Sequence, residues 1–152
     1  MKIAIRNLKP VGLILVAVLF LSQAIRIEKS NPPVQSDISA DPAIRPLLRR
    51  ACYNCHSNET NWPWYSNVAP FSWLIGSDVT GGRRHVNFSE WATYGSAIQS
   101  HKLAGIAEEV RDGEMPPWYY TWVHSDSRLS PAERNEIHAW AMGAAKLLTA
   151  GR

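Results

Sequence analysis

The sequence predicts an all-α fold, a small helical domain preceded by an N-terminal hydrophobic helix. Three observations lead there. Apolar residues recur at i, i+3, i+4 and i+7 in successive segments beyond residue 40, the signature of helices with one buried face. No stretch shows the period-two alternation of a half-buried strand. Helix punctuation, with proline in first turns and glycine past last ones, falls between the periodic segments. The 152 residues, 45% hydrophobic and 19% charged, suit one folded domain and not a disordered chain.

The first element carries an address. Lys2, Arg6 and Lys9 precede an apolar run from Val11 to Leu21, and Ser22-Gln23-Ala24 puts small residues at the −3 and −1 positions of a cleavage site. Pro10 to Ile25 is 16 residues, about 24 Å of helix, against a hydrocarbon core of about 30 Å. Residues 1–24 are therefore expected to be either a cleaved export signal or a retained anchor, with membrane contact through residues 10–25. Both place the remainder in the periplasm, soluble in the first case and held at the inner membrane in the second.

Locating the charge removes one partner class. The formal net charge is +3, which invites nucleic acid. Beyond Ala24, however, 13 Lys+Arg face 13 Asp+Glu. The excess belongs to the leader, and nucleic acid is not expected as a partner.

Residues 25–40, polar and carrying Pro32-Pro33, read as an extended linker. The domain proper is expected over 41–150. Its first helix runs through Ile44, Leu47, Leu48, Ala51 and Cys55; Pro46 lacks an N–H, so regular helix is expected to begin there. Asn61 to Pro70 reads as a loop around Trp62-Pro63-Trp64-Tyr65. A second helix fits Phe71, Leu74, Ile75 and Val79 and is expected to stop at Gly81-Gly82. Ser89 is the expected cap of a region through Trp91, Tyr94, Ala97 and Ile98, which continues through Leu103, Ile106, Ala107 and Val110 to Gly113. Ser130-Pro131-Ala132-Glu133 is a capping box with proline at the first helical position. It opens a last helix whose face is Ile137, Trp140, Ala141, Ala144 and Leu148.

Both cysteines of the chain lie in Cys52-Tyr53-Asn54-Cys55-His56. This is the attachment pattern of c-type haem: two thiols add to the vinyl groups and the adjacent histidine ligates the iron. Two intervening residues put both sulfurs on one side of a helical turn. Other readings of the pair are a redox disulfide, which expects a βαβ setting, and a structural disulfide. A third is a zinc site completed by His56 with His85, His101, His124 or His138.

The sixth iron ligand is expected from Met115, in Gly113-Glu114-Met115-Pro116-Pro117, where the prolines exclude helix and stiffen the loop. Met1 lies in the leader and Met142 on the last helix. His85 and His124 are the competing ligands. Of 7 Trp, 5 Tyr and 3 Phe, only Phe20 lies outside positions 53–140. Some of these rings can wall a flat macrocycle, and most of the 7 Trp should fill the core. Arg83 and Arg84 are candidates for pairing with haem propionates.

With these residues in view, the chain resembles the small bacterial haem-binding-domain proteins that carry a single c-type motif. The likeness runs from Asn31-Pro32-Pro33-Val34 to about Ala141. It includes Ala51-Cys52-Tyr53-Asn54-Cys55-His56-Ser57-Asn58-Glu59-Thr60, Ala69-Pro70-Phe71-Ser72-Trp73-Leu74, Arg84-His85-Val86-Asn87-Phe88-Ser89-Glu90-Trp91 and Gly113-Glu114-Met115-Pro116. The resemblance implies one covalent haem c on a cytochrome c-like helical fold outside the cytoplasmic membrane, and favours Met115 as distal ligand. It fixes no reaction.

The expected role is a one-electron carrier with His56/Met115 ligation, serving redox partner proteins. No paired-carboxylate motif, nucleophile elbow or glycine-rich phosphate loop stands in the sequence to suggest an enzyme. The alternative is a peroxidase-like enzyme or a gas or redox sensor with a displaceable sixth ligand.

Overall fold

Residues 8–150 are described by a computed structural model, with side chains from residue 10 onward. Lys2 and Arg6 of the leader lie outside the described residues. Among those described, every regular element is helical. The helices are α1 (Leu8–Ser22), α2 (Ile44–Ala51), α3 (Tyr53–His56), α4 (Phe71–His85), α5 (Ser96–Asp112), α6 (Trp118–Val123) and α7 (Pro131–Ala150). Short 3₁₀ turns cover Trp64–Asn67, Phe88–Thr93 and Ser125–Ser127. The chain divides into two compact units, Met1–Lys29 with Trp62–Asp78, and Ser30–Asn61 with Val79–Arg152.

The larger unit is built on the antiparallel pair α5 and α7. Leu103, Ala107 and Val110 from one helix and Ile137, Ala141 and Ala145 from the other are all buried. Small residues at the contact let the two backbones approach. Side-chain bonds then bridge the seam: Ser100 Oγ donates to the Ala145 carbonyl at 3.0 Å, His138 Nδ1 lies 3.1 Å from the Ala107 carbonyl, and Arg134 donates to Val110 at 2.9 Å. Helix α5 ends where the sequence places its stop, at Gly113, whose φ of 85° is the left-handed conformation that glycine adopts without a Cβ clash.

α2 presents Ile44, Leu48 and Ala51 to this core. It begins at Ile44 and not at Pro46, because proline falls on the third residue, where an α-helix has no N–H partner to lose. The capping box is formed as expected. The Ser130 N–H donates to Glu133 Oε2 at 2.8 Å and the Glu133 N–H donates to Ser130 Oγ at 3.3 Å. Glu133 also pairs with Arg50, at the end of α2.

Three expectations are corrected here. Helix α4 does not stop at Gly81-Gly82 but continues to His85. Asn87, not Ser89, caps the turn after it, accepting from the Ser89 N–H at 3.1 Å, while Ser89 Oγ accepts from the Asn58 N–H at 2.9 Å. The polar segment ahead of α2 is extended, yet it contributes Ile38 and Ala40 to the core, and Gln35 and Ser36 donate to the Ser89 carbonyl.

In the smaller unit α1 covers 15 residues. No helix among the described residues is long and apolar enough to cross a membrane.

The capping box generates a pH prediction. Its hydrogen bonds from Ser130, with Arg50 adding to them, hold the Glu133 carboxyl below its ordinary value of 4.5. The unfolded chain therefore takes up this proton first. The stabilisation is fully present above pH 4.5 and disappears as pH falls through the lower folded value. Denaturant midpoints measured from pH 7 to pH 3 should decline less steeply over that window in Glu133→Gln than in the unaltered protein.

Candidate haem site

The Cys-x-x-Cys-His segment is one helical turn set at a break between two helices. α2 ends at Ala51, and Cys52 leaves the helical path at φ −122°, ψ −37°, although its N–H still reaches the Leu48 carbonyl at 2.8 Å. The turn then restarts on the Cys52 carbonyl, which accepts from Cys55 at 3.1 Å and from His56 at 2.9 Å. Both cysteines are half-buried and no disulfide joins them.

The two residues between the cysteines hold the turn in place. Tyr53 is buried, with its ring 5.1 Å from Phe88 and its hydroxyl bonded to Asp37. Asn54 Nδ2 donates to the Tyr120 hydroxyl at 2.8 Å, and its Oδ1 accepts from the Asn61 N–H at 3.0 Å. The Thr60 hydroxyl donates to the Asn54 carbonyl at 2.8 Å.

His56 is the most constrained member. Its Nδ1 lies 3.0 Å from the Gly82 carbonyl and 3.1 Å from the Val86 carbonyl. Carbonyl oxygens only accept, so Nδ1 carries the proton and Nε2 keeps its lone pair for a metal. Burial lowers the His56 pKa, against the opposing pull of those two bonds. The shift favours the neutral imidazole, the form that coordinates iron, and a bonded Nδ1 is the usual support of a ligating histidine.

Gly82 explains why the glycine pair does not end α4. A Cβ there would lie 2.6 Å from the Cys55 carbonyl oxygen, so only glycine lets this turn of α4 lie flush against the motif. Gly81 has nothing within 4 Å. Next along the helix, Arg83 donates to the Ser57 carbonyl at 2.8 Å, the Ser30 carbonyl at 2.9 Å, Asn31 Oδ1 at 3.0 Å and Thr60 Oγ1 at 2.9 Å. Its guanidinium thereby ties the residues after His56 to the extended segment at Ser30-Asn31. Arg84 is exposed.

The thiols behave accordingly. Burial, with a smaller push from Cys55, raises the Cys52 pKa to about 12 against the lowering effect of Arg50. A redox-active cysteine pair depends on a lowered thiol pKa, so this environment is unlike that of a thioredoxin-type centre. Among the described residues no three His, Cys, Asp or Glu side chains gather to hold a metal ion. The donor set instead fits a covalent haem, with two unbridged thiols on one turn and one neutral imidazole with Nε2 available.

Met115 stands at the edge of the core, partly buried. Its N–H donates to the Glu109 carbonyl at 3.1 Å and its carbonyl accepts from Arg134 at 3.1 Å, so the loop is fastened on both sides of the thioether. His124 stacks on Tyr120 with ring centroids 4.4 Å apart, and His85 is exposed. Of the tryptophans only Trp91 is buried, while Trp64, Trp118 and Trp122 are strongly exposed. This corrects the expectation that most of them fill the core.

An all-α domain bearing this turn is a c-type haem-attachment protein. The chain belongs to the haem-binding domain family, whose model matches residues 13–143. Neither a curated protein nor a solved structure matches it. The family and the Cys52, Cys55 and His56 spacing together assign covalent haem c as the cofactor.

Gly82→Ala forces the Cys55 carbonyl to shift, at about 1–3 kcal/mol, and disturbs the bond that orients His56. The expected result is fewer haems per chain by pyridine haemochrome assay and a lower denaturant midpoint for the loaded fraction. Gly81→Ala, facing open space, should load normally.

Proposed function

We propose that the protein is an exported one-electron carrier, with a cytochrome c-like haem held between His56 and Met115. The observation that carries this reading is the fastening of Met115. A soft thioether on a loop bonded on both sides, to Glu109 and Arg134, can be presented to iron with little loss of conformational freedom on binding. When bound, haem supplies a one-electron ferric–ferrous couple. Thioether ligation favours the reduced state and raises the potential. His56, oriented by the Gly82 and Val86 carbonyls, would hold the iron as its second protein ligand. With both positions filled by side chains, the pair would leave no place for a small molecule.

The reading includes periplasmic residence, because thiol addition to haem takes place outside the cytoplasm, and redox proteins as partners. It is favoured over His85 and His124 ligation by their settings: His85 lies exposed at the end of α4 and His124 is stacked on Tyr120.

Met115→Ala should convert a low-spin ferric spectrum to a high-spin one, make the ferrous form bind CO rapidly and lower the reduction potential. An unchanged spectrum in the variant rules out Met115 as ligand. Rapid CO or cyanide binding by the unaltered protein would point to a peroxidase-like enzyme or a sensor with a displaceable ligand.

A further inference from the structure

The smaller unit carries a surface that the haem site does not use. Every large apolar side chain of α1 from Val11 to Leu21 is 52–79% exposed. At 100° per residue these positions cover the whole circumference of the helix. A groove or a partner helix covers only a stripe; an apolar medium covers all sides.

The end of this helix is fastened to the segment that includes the first turns of α4. The Gln23 side-chain amide donates to the Ala69 carbonyl at 3.2 Å and accepts from the Ala69 N–H at 2.9 Å. Trp73 Nε1 donates to the Ile25 carbonyl at 3.0 Å. A Cβ on Gly76, which is buried, would fall 2.9 Å from the Ile27 side chain. The pairs 23/69, 25/73 and 27/76 advance in step, so α4 leads away from the end of α1 and its first residues lie beside that end. Val68 and Phe71 flank the Ala69 contact, and the Lys29 side chain donates to Asn67 in the 3₁₀ turn that begins at Trp64; Trp64 and Phe71 are 78% and 57% exposed. Arg26 and Lys29 follow directly.

We propose that this unit seats the protein on a lipid bilayer. Helix α1 stays on the chain and inserts, and Trp64, Val68 and Phe71 form a collar at headgroup level, where tryptophan is favoured and Arg26 and Lys29 meet anionic lipid. Length gives the collar a reason. The uncharged stretch from Pro10 to Ile25 spans about 24 Å as helix, less than the roughly 30 Å of hydrocarbon, so mismatch draws the segment beyond it onto the headgroups. The structure also opposes cleavage after Ala24. The N–H groups of Gln23, Ala24 and Ile25 are bonded to Phe20, Leu21 and Ser22, and cleavage would remove the Gln23 clamp. The family match likewise begins at residue 13, inside α1.

The inference rests on export of the chain but not on the role of its haem. The full-length protein, expressed with haem attachment, should be recovered haem-stained in the membrane fraction with residues before Gln23 present by mass spectrometry. Haem-stained protein in the soluble periplasm beginning at Ile25 overturns the proposal while leaving export and haem attachment intact. Absence of covalent haem from every fraction would instead count against the export reading on which it rests. For the collar, the retained holo-protein is reconstituted in phosphatidylethanolamine–phosphatidylglycerol nanodiscs containing a phospholipid with a photoactivatable diazirine beside its headgroup. Adducts on residues 64–71 are expected in addition to those on α1. Adducts confined to α1 overturn the collar, and Trp64→Ser with Phe71→Ser should reduce labelling of that segment severalfold.

Discussion

The geometry of the haem site depends on one contact, the close approach of α4 to the motif turn at Gly82. It allows the Gly82 carbonyl to reach His56 Nδ1, with the Val86 carbonyl as second acceptor. Those two acceptors decide the tautomer, and the tautomer leaves the Nε2 lone pair available to a metal. The same approach lets Arg83 satisfy the Ser57 carbonyl after the motif and the Ser30 carbonyl of the extended segment. A side chain at position 82 would separate the two elements and loosen all of these bonds together.

Around that contact, distant parts of the chain each secure one end of the site. The extended segment ahead of α2 supplies Asp37, which bonds Tyr53 and pairs with Arg49. α7 supplies Glu133, which closes its own capping box and pairs with Arg50, two residues before Cys52. The same helix supplies Arg134, which fastens the Met115 loop. The first turn of α7 therefore braces both the end of α2 ahead of the motif and the Met115 loop. A haem-attachment motif is short, and its stiffness has to come from such contacts.

The unequal legibility of these features has a physical basis. The all-α class, the cap at Ser130 and the stop at Gly113 are governed by local rules: side-chain period, a reciprocal pair of hydrogen bonds and a left-handed glycine. Gly81-Gly82 obeyed the same local rule only on paper. Glycine both ends helices and permits close approach, and the choice depends on what faces it, here the Cys55 carbonyl. Arg83 was similarly ambiguous, since a guanidinium satisfies carbonyl groups as readily as carboxylates. The exposed tryptophans differ from expectation because aromatic composition does not reveal which rings lie on a surface.

The amino-acid sequence by itself determined the cofactor chemistry and the helical class. The thiol spacing and adjacent imidazole are covalent facts of five consecutive residues, and helical periodicity is written along each segment. Only the tertiary structure decided which carbonyls orient His56, which arginine braces the motif and how the polar segment before α2 enters the core. Those depend on residues far apart in the chain, such as 56 and 82, or 50 and 133. No local rule of spacing relates such positions until folding brings them within hydrogen-bond reach.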